Sequence, residues 1–294
     1  MRYLSLTAVA AMIGASAAFG AIGAVASQVD LPPGQLLLLL VGTAAVPLAF
    51  AGPRLDRPDL PPLGWRAVVL LGTINAFQIA TYLAGLTLGP VGPVAALHLS
   101  VPVVYLVWEL ARGERRPDAL SLAVLALAGA GAAIAGLSEG GSSGGSGPVI
   151  GLLLAALSAI ALAIFLGLVA AWGRKRRVRG AAGGIHATGA ILMLPTLAFG
   201  LPSAEEAGLA VLLGALLWAP AVLLQWWAVA RLPRVVFGTL LLFEAVFTAL
   251  IAAIAFGEDL SPLVALAVLL IIGAAGIETR RRERLVASAH PPGP

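Results

Sequence analysis

The sequence predicts an all-α integral membrane fold: ten transmembrane helices arranged as two inverted-topology five-helix repeats, with both termini cytoplasmic. Three observations carry this prediction. The first is composition. Hydrophobic residues are 60% of the 294-residue chain and charged residues 11%, whereas a soluble domain carries roughly 25% charged residues. The second is the placement of the charges, with every lysine and arginine on one side of the membrane. The third is an internal duplication.

The apolar runs come first in that justification. They fall at 4–26, 34–51, 65–87, 91–111, 118–137, 148–172, 181–200, 207–229, 235–256 and 261–278, each near the roughly 20 residues a helix needs to span a bilayer. Helices are the expected element because backbone groups facing lipid must be satisfied within their own segment. The first run, with small residues around Ala15 and Ala17, also resembles a signal peptide. It is expected to stay in place, because the apolar run continues past those residues and the sixth helix needs a counterpart.

With Arg2 in the cytoplasm, alternation along the chain assigns the cytoplasmic segments every basic residue. These are Arg54, Arg57 and Arg66; Arg112, Arg115 and Arg116; Arg174 to Arg179; Arg231 and Arg234; and Arg280 to Arg284. The opposite side receives only acids, among them Asp30, Glu139, Glu205, Glu206, Glu258 and Asp259. Basic residues retained inside are the signature of membrane orientation. The same spread over separate segments speaks against nucleic acid as a partner and for a lipid bilayer.

The duplication has an offset of 144 residues: Leu88 meets Leu232, Val91 meets Val235, Gly113-Glu114 meets Gly257-Glu258, and Leu122-Ala-Val-Leu meets Leu266-Ala-Val-Leu. The expected division is a first repeat at 1–139, a Gly/Ser-rich external linker at 140–147, a second repeat at 148–279 and a cytoplasmic tail at 280–294. Five helices is an odd number, so the second repeat enters the membrane from the opposite face. Inverted repeats of this kind place a substrate site at their interface near the bilayer midplane.

Polar residues inside the spans are few, which makes them informative. Glu244 stands near the middle of the ninth run, and an ionisable group at that depth marks a cavity or a polar partner. His98 lies close to the repeat-related position and is the residue type that changes charge near neutral pH. Asn75, Gln78 and Tyr82 sit at i, i+3 and i+7 of the third helix and share a face. Gln225 and Trp226 align with Thr81 and Tyr82 in the eighth helix, and Thr239 shares the ninth with Glu244. Together these eight residues are the expected substrate-binding or coupling set. His186 and Trp172 read as interfacial, Phe243 as packing, and pairs such as Gly14 with Ala18 or Gly129 with Ala133 as close-packing positions.

No metal site, catalytic set or cofactor is expected. The chain has no cysteine, and no His-x-x-x-His, Asp-rich or nucleotide-loop motif accompanies the histidines, so an intramembrane enzyme is disfavoured.

The turn Gly113-Glu114 and its copy Gly257-Glu258, at the ends of the fourth and ninth helices, resemble the drug/metabolite transporter superfamily in its ten-helix, tandem-repeat (EamA-type) form. The run Arg231-Leu-Pro-Arg-Val-Val-Phe-Gly-Thr-Leu-Leu-Leu-Phe-Glu244 is most similar to the threonine/homoserine exporter branch. It departs from that branch where Ala245 replaces a proline after the glutamate, and where His98 stands in a segment that often carries glutamate. The resemblance implies a secondary transporter exporting a small amino acid or related metabolite by alternating access, with protons as coupling ion. The alternative is efflux of hydrophobic cationic drugs. A monomer or homodimer is expected. Arginine- and alanine-rich, lysine-poor usage places it in the cytoplasmic membrane of a high-GC bacterium.

Overall fold

The computed structural model describes residues 6–289 except 57, 115, 144–146, 174, 230, 233–236, 238–239 and 259–260. Among these the secondary structure is helical, apart from one isolated bridge between Pro62 and Arg177. The helices are α1 (Leu6–Ala26), α2 (Pro33–Ala51), α3 (Trp65–Leu88), α4 (Val91–His98), α5 (Val101–Ala111), α6 (Ala119–Ser143) and α7 (Gly147–Gly173). They continue as α8 (Ala182–Met193), α9 (Ala204–Leu212), α10 (Ala219–Val229), α11 (Phe243–Phe256) and α12 (Pro262–Ala289). Helix α6 thus covers part of the Gly/Ser-rich segment expected as a linker, and α12 runs on beyond residue 278.

Among the described residues, six helical segments are long and apolar enough to cross a membrane: α1, α2, α3, α7, Arg179–Phe199 around α8, and Ala204–Ala228 through α9 and α10. Helices α4 and α5 make a seventh if counted as one span bent by 49°. Shorter apolar stretches occupy Ala119–Ile134, Phe243–Phe256 and Pro262–Glu278.

Local chemistry explains the starts and breaks. Pro33 opens α2 at a position where its missing N–H has no helical partner to lose. Ser203 and Glu206 form a reciprocal capping box at the start of α9, with Ser203 Oγ accepting from the Glu206 amide at 3.2 Å. The α4–α5 bend follows from Pro102, which has no N–H for the carbonyl of His98 and crowds the preceding turn. Ser100 Oγ instead donates to the Leu97 carbonyl at 2.6 Å. Between α9 and α10, Leu213–Trp218 winds as a π-helix, a distortion that recurs at functional sites.

Helix α3 packs on α7 and α8, α2 on α8, α6 on α12, α1 on α10 and α11, and α4 on α7 and α11. Lipid gives no hydrophobic drive between helices, so small residues that permit close contact govern such packing. The residues that do this are not all those the sequence singles out. Gly129 has nothing within 4 Å of a built Cβ, whereas a Cβ at Gly131 would stand 2.9 Å from the Ala267 carbonyl oxygen. Gly129 therefore faces away from the α6–α12 contact and Gly131 makes it.

Arginines dress the helix ends. Arg66, Arg112 and Arg231 lie over the rings of Trp65, Trp108 and Trp227 at 5.5, 5.7 and 4.1 Å, in keeping with an aromatic belt at a membrane interface. Arg281 pairs with Asp118 and donates to Ser121 Oγ at 3.0 Å, tying α12 to the start of α6. Ser27 and Gln28, just beyond α1, donate to Glu258 Oε1 at 3.3 and 3.1 Å.

Candidate functional site

A cavity of about 110 Å³ lies among α1, α3, α4, α7, α8, α10 and α11, with Trp218 and Leu241 also on its wall. One water needs about 10–15 Å³, so the space suits a small solute or several waters.

Helix α3 supplies Asn75, Gln78 and Tyr82, all buried and all on the wall, as their spacing along one helical face requires. Gln78 Nε2 donates to Asn75 Oδ1 at 3.1 Å, which leaves Gln78 Oε1 buried without a partner. His98, the last residue of α4, stacks on Tyr82 with ring centroids 4.1 Å apart and planes 16° apart. Its Nδ1 lies 2.8 Å from Ser158 Oγ on α7. Ser158 spends its only hydroxyl hydrogen on the Gln78 carbonyl. Its oxygen must therefore accept from His98 Nδ1–H, which fixes the tautomer and leaves Nε2 with the lone pair.

The second half of the chain closes the cavity. Gln225 and Trp226 of α10 are on the wall, with Trp218 from the π segment, whose Nε1 is buried without a partner. Phe19 of α1 meets the Trp218 ring edge-on at 5.4 Å. Glu244, in the first turn of α11, is 6% exposed and opens on the same space. A helix N-terminus favours a carboxylate by about 0.3–1 kcal/mol, and the approach of Gly20 on α1 to the Glu244 carbonyl holds α1 against this turn. The Tyr82 hydroxyl is buried beside Glu244 and Thr248 and has no hydrogen bond of normal geometry.

Seven of the eight residues expected from sequence, Glu244, His98, Asn75, Gln78, Tyr82, Gln225 and Trp226, therefore line one cavity. The eighth, Thr239, lies outside the described residues. His186 is 3% exposed and on the cavity wall, although the sequence assigns it no part in the site, with Nδ1 donating to the Ala182 carbonyl at 2.9 Å. Ser158 and Trp218 were not anticipated. Phe243 is 42% exposed and packs beside Phe247. The described lining residues include no lysine or arginine, and no cluster of three metal-ligating side chains occurs among the described residues.

Residues 6–137 match the EamA-like transporter family. That family's members carry small molecules across membranes, and the match agrees with the all-helical, multi-pass architecture. A solved structure, described only as the crystal structure of a protein, is 20% identical with a TM-score of 0.66. The alignment covers 95% of this chain and 97% of that one. At this identity the likeness shows the fold, and it extends over both halves of the chain. No curated protein matches.

Proposed function

We propose that this protein is a secondary transporter that exports a small amino acid or related metabolite in exchange for protons. Its two inverted five-helix halves, 1–139 and 148–279, alternate the cavity between the two faces of the membrane. The observation that carries the reading is Glu244: a buried carboxylate with no hydrogen bond to its side chain among the described residues, facing a polar, aromatic cavity built from both halves. Such a group takes up a proton or an ammonium ion, and competition between the two couples their movements.

Packing supports the inverted repeat. Helix α1 lies on α10 and α11 as α7 lies on α3 and α4, while α2 pairs with α8, α4 with α11 and α6 with α12. Gly113 and Gly257, equivalent in the duplication, both end their helices at φ +68°. Counting the bent α4–α5 pair as one span and adding the three shorter apolar helices gives ten. The resemblance of Arg231–Glu244 to the threonine/homoserine exporter branch supports a small amino acid or relative as cargo. The aromatic faces of Tyr82, Trp218 and Trp226 support a second reading, efflux of hydrophobic cations.

The test is flux of labelled threonine and homoserine in proteoliposomes under an imposed pH gradient. Gradient-driven flux in the wild type, lost in Glu244→Gln, is the expected result. Flux that is indifferent to both the gradient and the substitution would sink the proposal.

A further inference from the structure

Tyr82 stands where two groups of helices meet, and its hydroxyl hydrogen is uncommitted. The residue belongs to α3, which packs on α7, and its ring stacks on His98 of α4 with centroids 4.1 Å apart. The hydroxyl reaches into the crossing of α1 and α11. A Cβ built on Gly23 of α1 would lie 2.9 Å from the Tyr82 hydroxyl oxygen and 3.3 Å from Thr248 Oγ1 of α11. Two oxygens therefore converge on the space that the missing side chain leaves, beside Glu244 one turn earlier on α11.

Few hydrogens are available around that point. Thr248 spends its own hydroxyl hydrogen on the Glu244 carbonyl at 2.8 Å, so Thr248 Oγ1 can only accept. The Tyr82 hydroxyl is buried with no partner in hydrogen-bond geometry. A buried donor without an acceptor is costly, and two acceptors stand beside this one: Thr248 Oγ1 and the Glu244 carboxylate. An ionised carboxylate is the stronger acceptor of the two, because a hydrogen bond to a charged group exceeds one between neutral groups. Once a proton or an ammonium group occupies Glu244, that advantage goes.

We propose that Tyr82 is a positioning residue for the exchange, its hydroxyl donating to Glu244 when that carboxylate is ionised and empty, and to Thr248 Oγ1 when a proton or cargo occupies Glu244. The ring carries His98 on its face, so each transfer moves the α3–α4 side of the cavity against the α1–α11 side. The role in exchange rests on the reading that proton and cargo compete for Glu244, whereas the choice between two acceptors rests on the contacts alone.

The other titratable groups on the described wall are His98 of α4 and His186 of α8, so the readout must belong to the carboxyl. Infrared spectra of the cargo-free full chain in lipid are recorded across pH. The protonated-carboxyl band that Glu244→Gln removes is followed to the pH at which half of it is lost. Tyr82→Phe keeps the ring and its stack but deletes the hydroxyl. One hydrogen bond to the ionised form is worth about one pH unit, so half-loss should come about one unit higher than in the wild type. Thr248→Val deletes the rival acceptor, leaves the hydroxyl to Glu244 alone, and should bring half-loss at lower pH. A merely structural disturbance of the pocket does not produce shifts of opposite sign. An unchanged half-loss in either variant, or shifts of the same sign in both, would overturn the inference. Flux of labelled homoserine under a pH gradient is measured separately in proteoliposomes. Opposite shifts in the two variants without wild-type flux remove the transport reading and leave the Tyr82 assignment. Wild-type flux that needs Glu244, with neither variant shifted, does the reverse.

Discussion

Replacing Gly20 with alanine should wedge the two halves apart at the carboxylate. A Cβ on Gly20 would lie 2.6 Å from Phe247 Cβ, 2.9 Å from the Thr248 amide nitrogen and 3.1 Å from the Glu244 carbonyl oxygen. Favourable contacts between carbon atoms sit near 3.5–4.0 Å, so α1 must retreat from α11 by about 1 Å. The opposing atoms are backbone or Cβ, which cannot rotate aside. Overpacking of this kind costs about 1–3 kcal/mol, while removing a helical glycine returns about 0.5–1 kcal/mol. The net loss, of the order of 1 kcal/mol, corresponds to a fall in Tm of about 2–4 °C. Cargo affinity should fall with it, because Glu244 moves relative to Tyr82 and His98 on the other half. Gly129→Ala is the matched control. Its Cβ would meet nothing within 4 Å, so the propensity gain stands alone and Tm should hold or rise. Thermal scans in detergent and a binding titration on both variants decide the matter. A Gly20→Ala protein as stable as Gly129→Ala, with wild-type affinity, would refute the claim that this crossing positions the carboxylate.

Two further outcomes follow from named contacts. Ser158→Ala leaves His98 Nδ1 without its acceptor, a loss of about 1–3 kcal/mol for a buried group. Nitrogen NMR of labelled histidine should then show a changed tautomer balance, cargo affinity should drop by about tenfold, and Ser158→Thr should restore both. Glu258, outside the spans, has its carboxyl raised above the ordinary range by burial, against hydrogen bonds from Ser27 and Gln28 that lower it. A raised native value means that this carboxyl's stabilisation is present below its unfolded value and lost as pH rises through the native one. Glu258→Gln keeps an acceptor for both partners, so Tm measured across pH 4 to 7 should lose that part of its decline.

Several features of fold and site were legible in the residues because the membrane makes polar side chains rare. Glu244 and His98 each stand alone in an apolar run, and Asn75, Gln78 and Tyr82 declare a shared face by spacing alone. His186 did not declare its place on the cavity wall because it sits a few residues past an arginine cluster, where a histidine is ordinarily interfacial. Its burial comes from tertiary packing: Gly183 lets α8 close on Ala49 of α2, where a Cβ would approach to 2.6 Å. Ser158 gave no signal, because a lone serine in a helix usually bonds its own backbone and only the α3–α7 contact reveals its partners. Trp218 reaches the cavity at the end of a π segment, whose phase a regular 3.6-residue period does not supply. The choice between Gly129 and Gly131 is likewise one of helical phase, and two glycines two residues apart leave that phase open.

The central claim is that cargo and proton occupy Glu244 in turn, and the pH dependence of cargo affinity tests it most directly. In the wild type, affinity for homoserine should fall by about tenfold for each unit of pH on the acidic side of the site's titration, as competition by one proton requires. In Glu244→Gln the same titration should be weak and flat. Tight binding that does not change with pH in the wild type, or that keeps its slope in Glu244→Gln, would contradict the account.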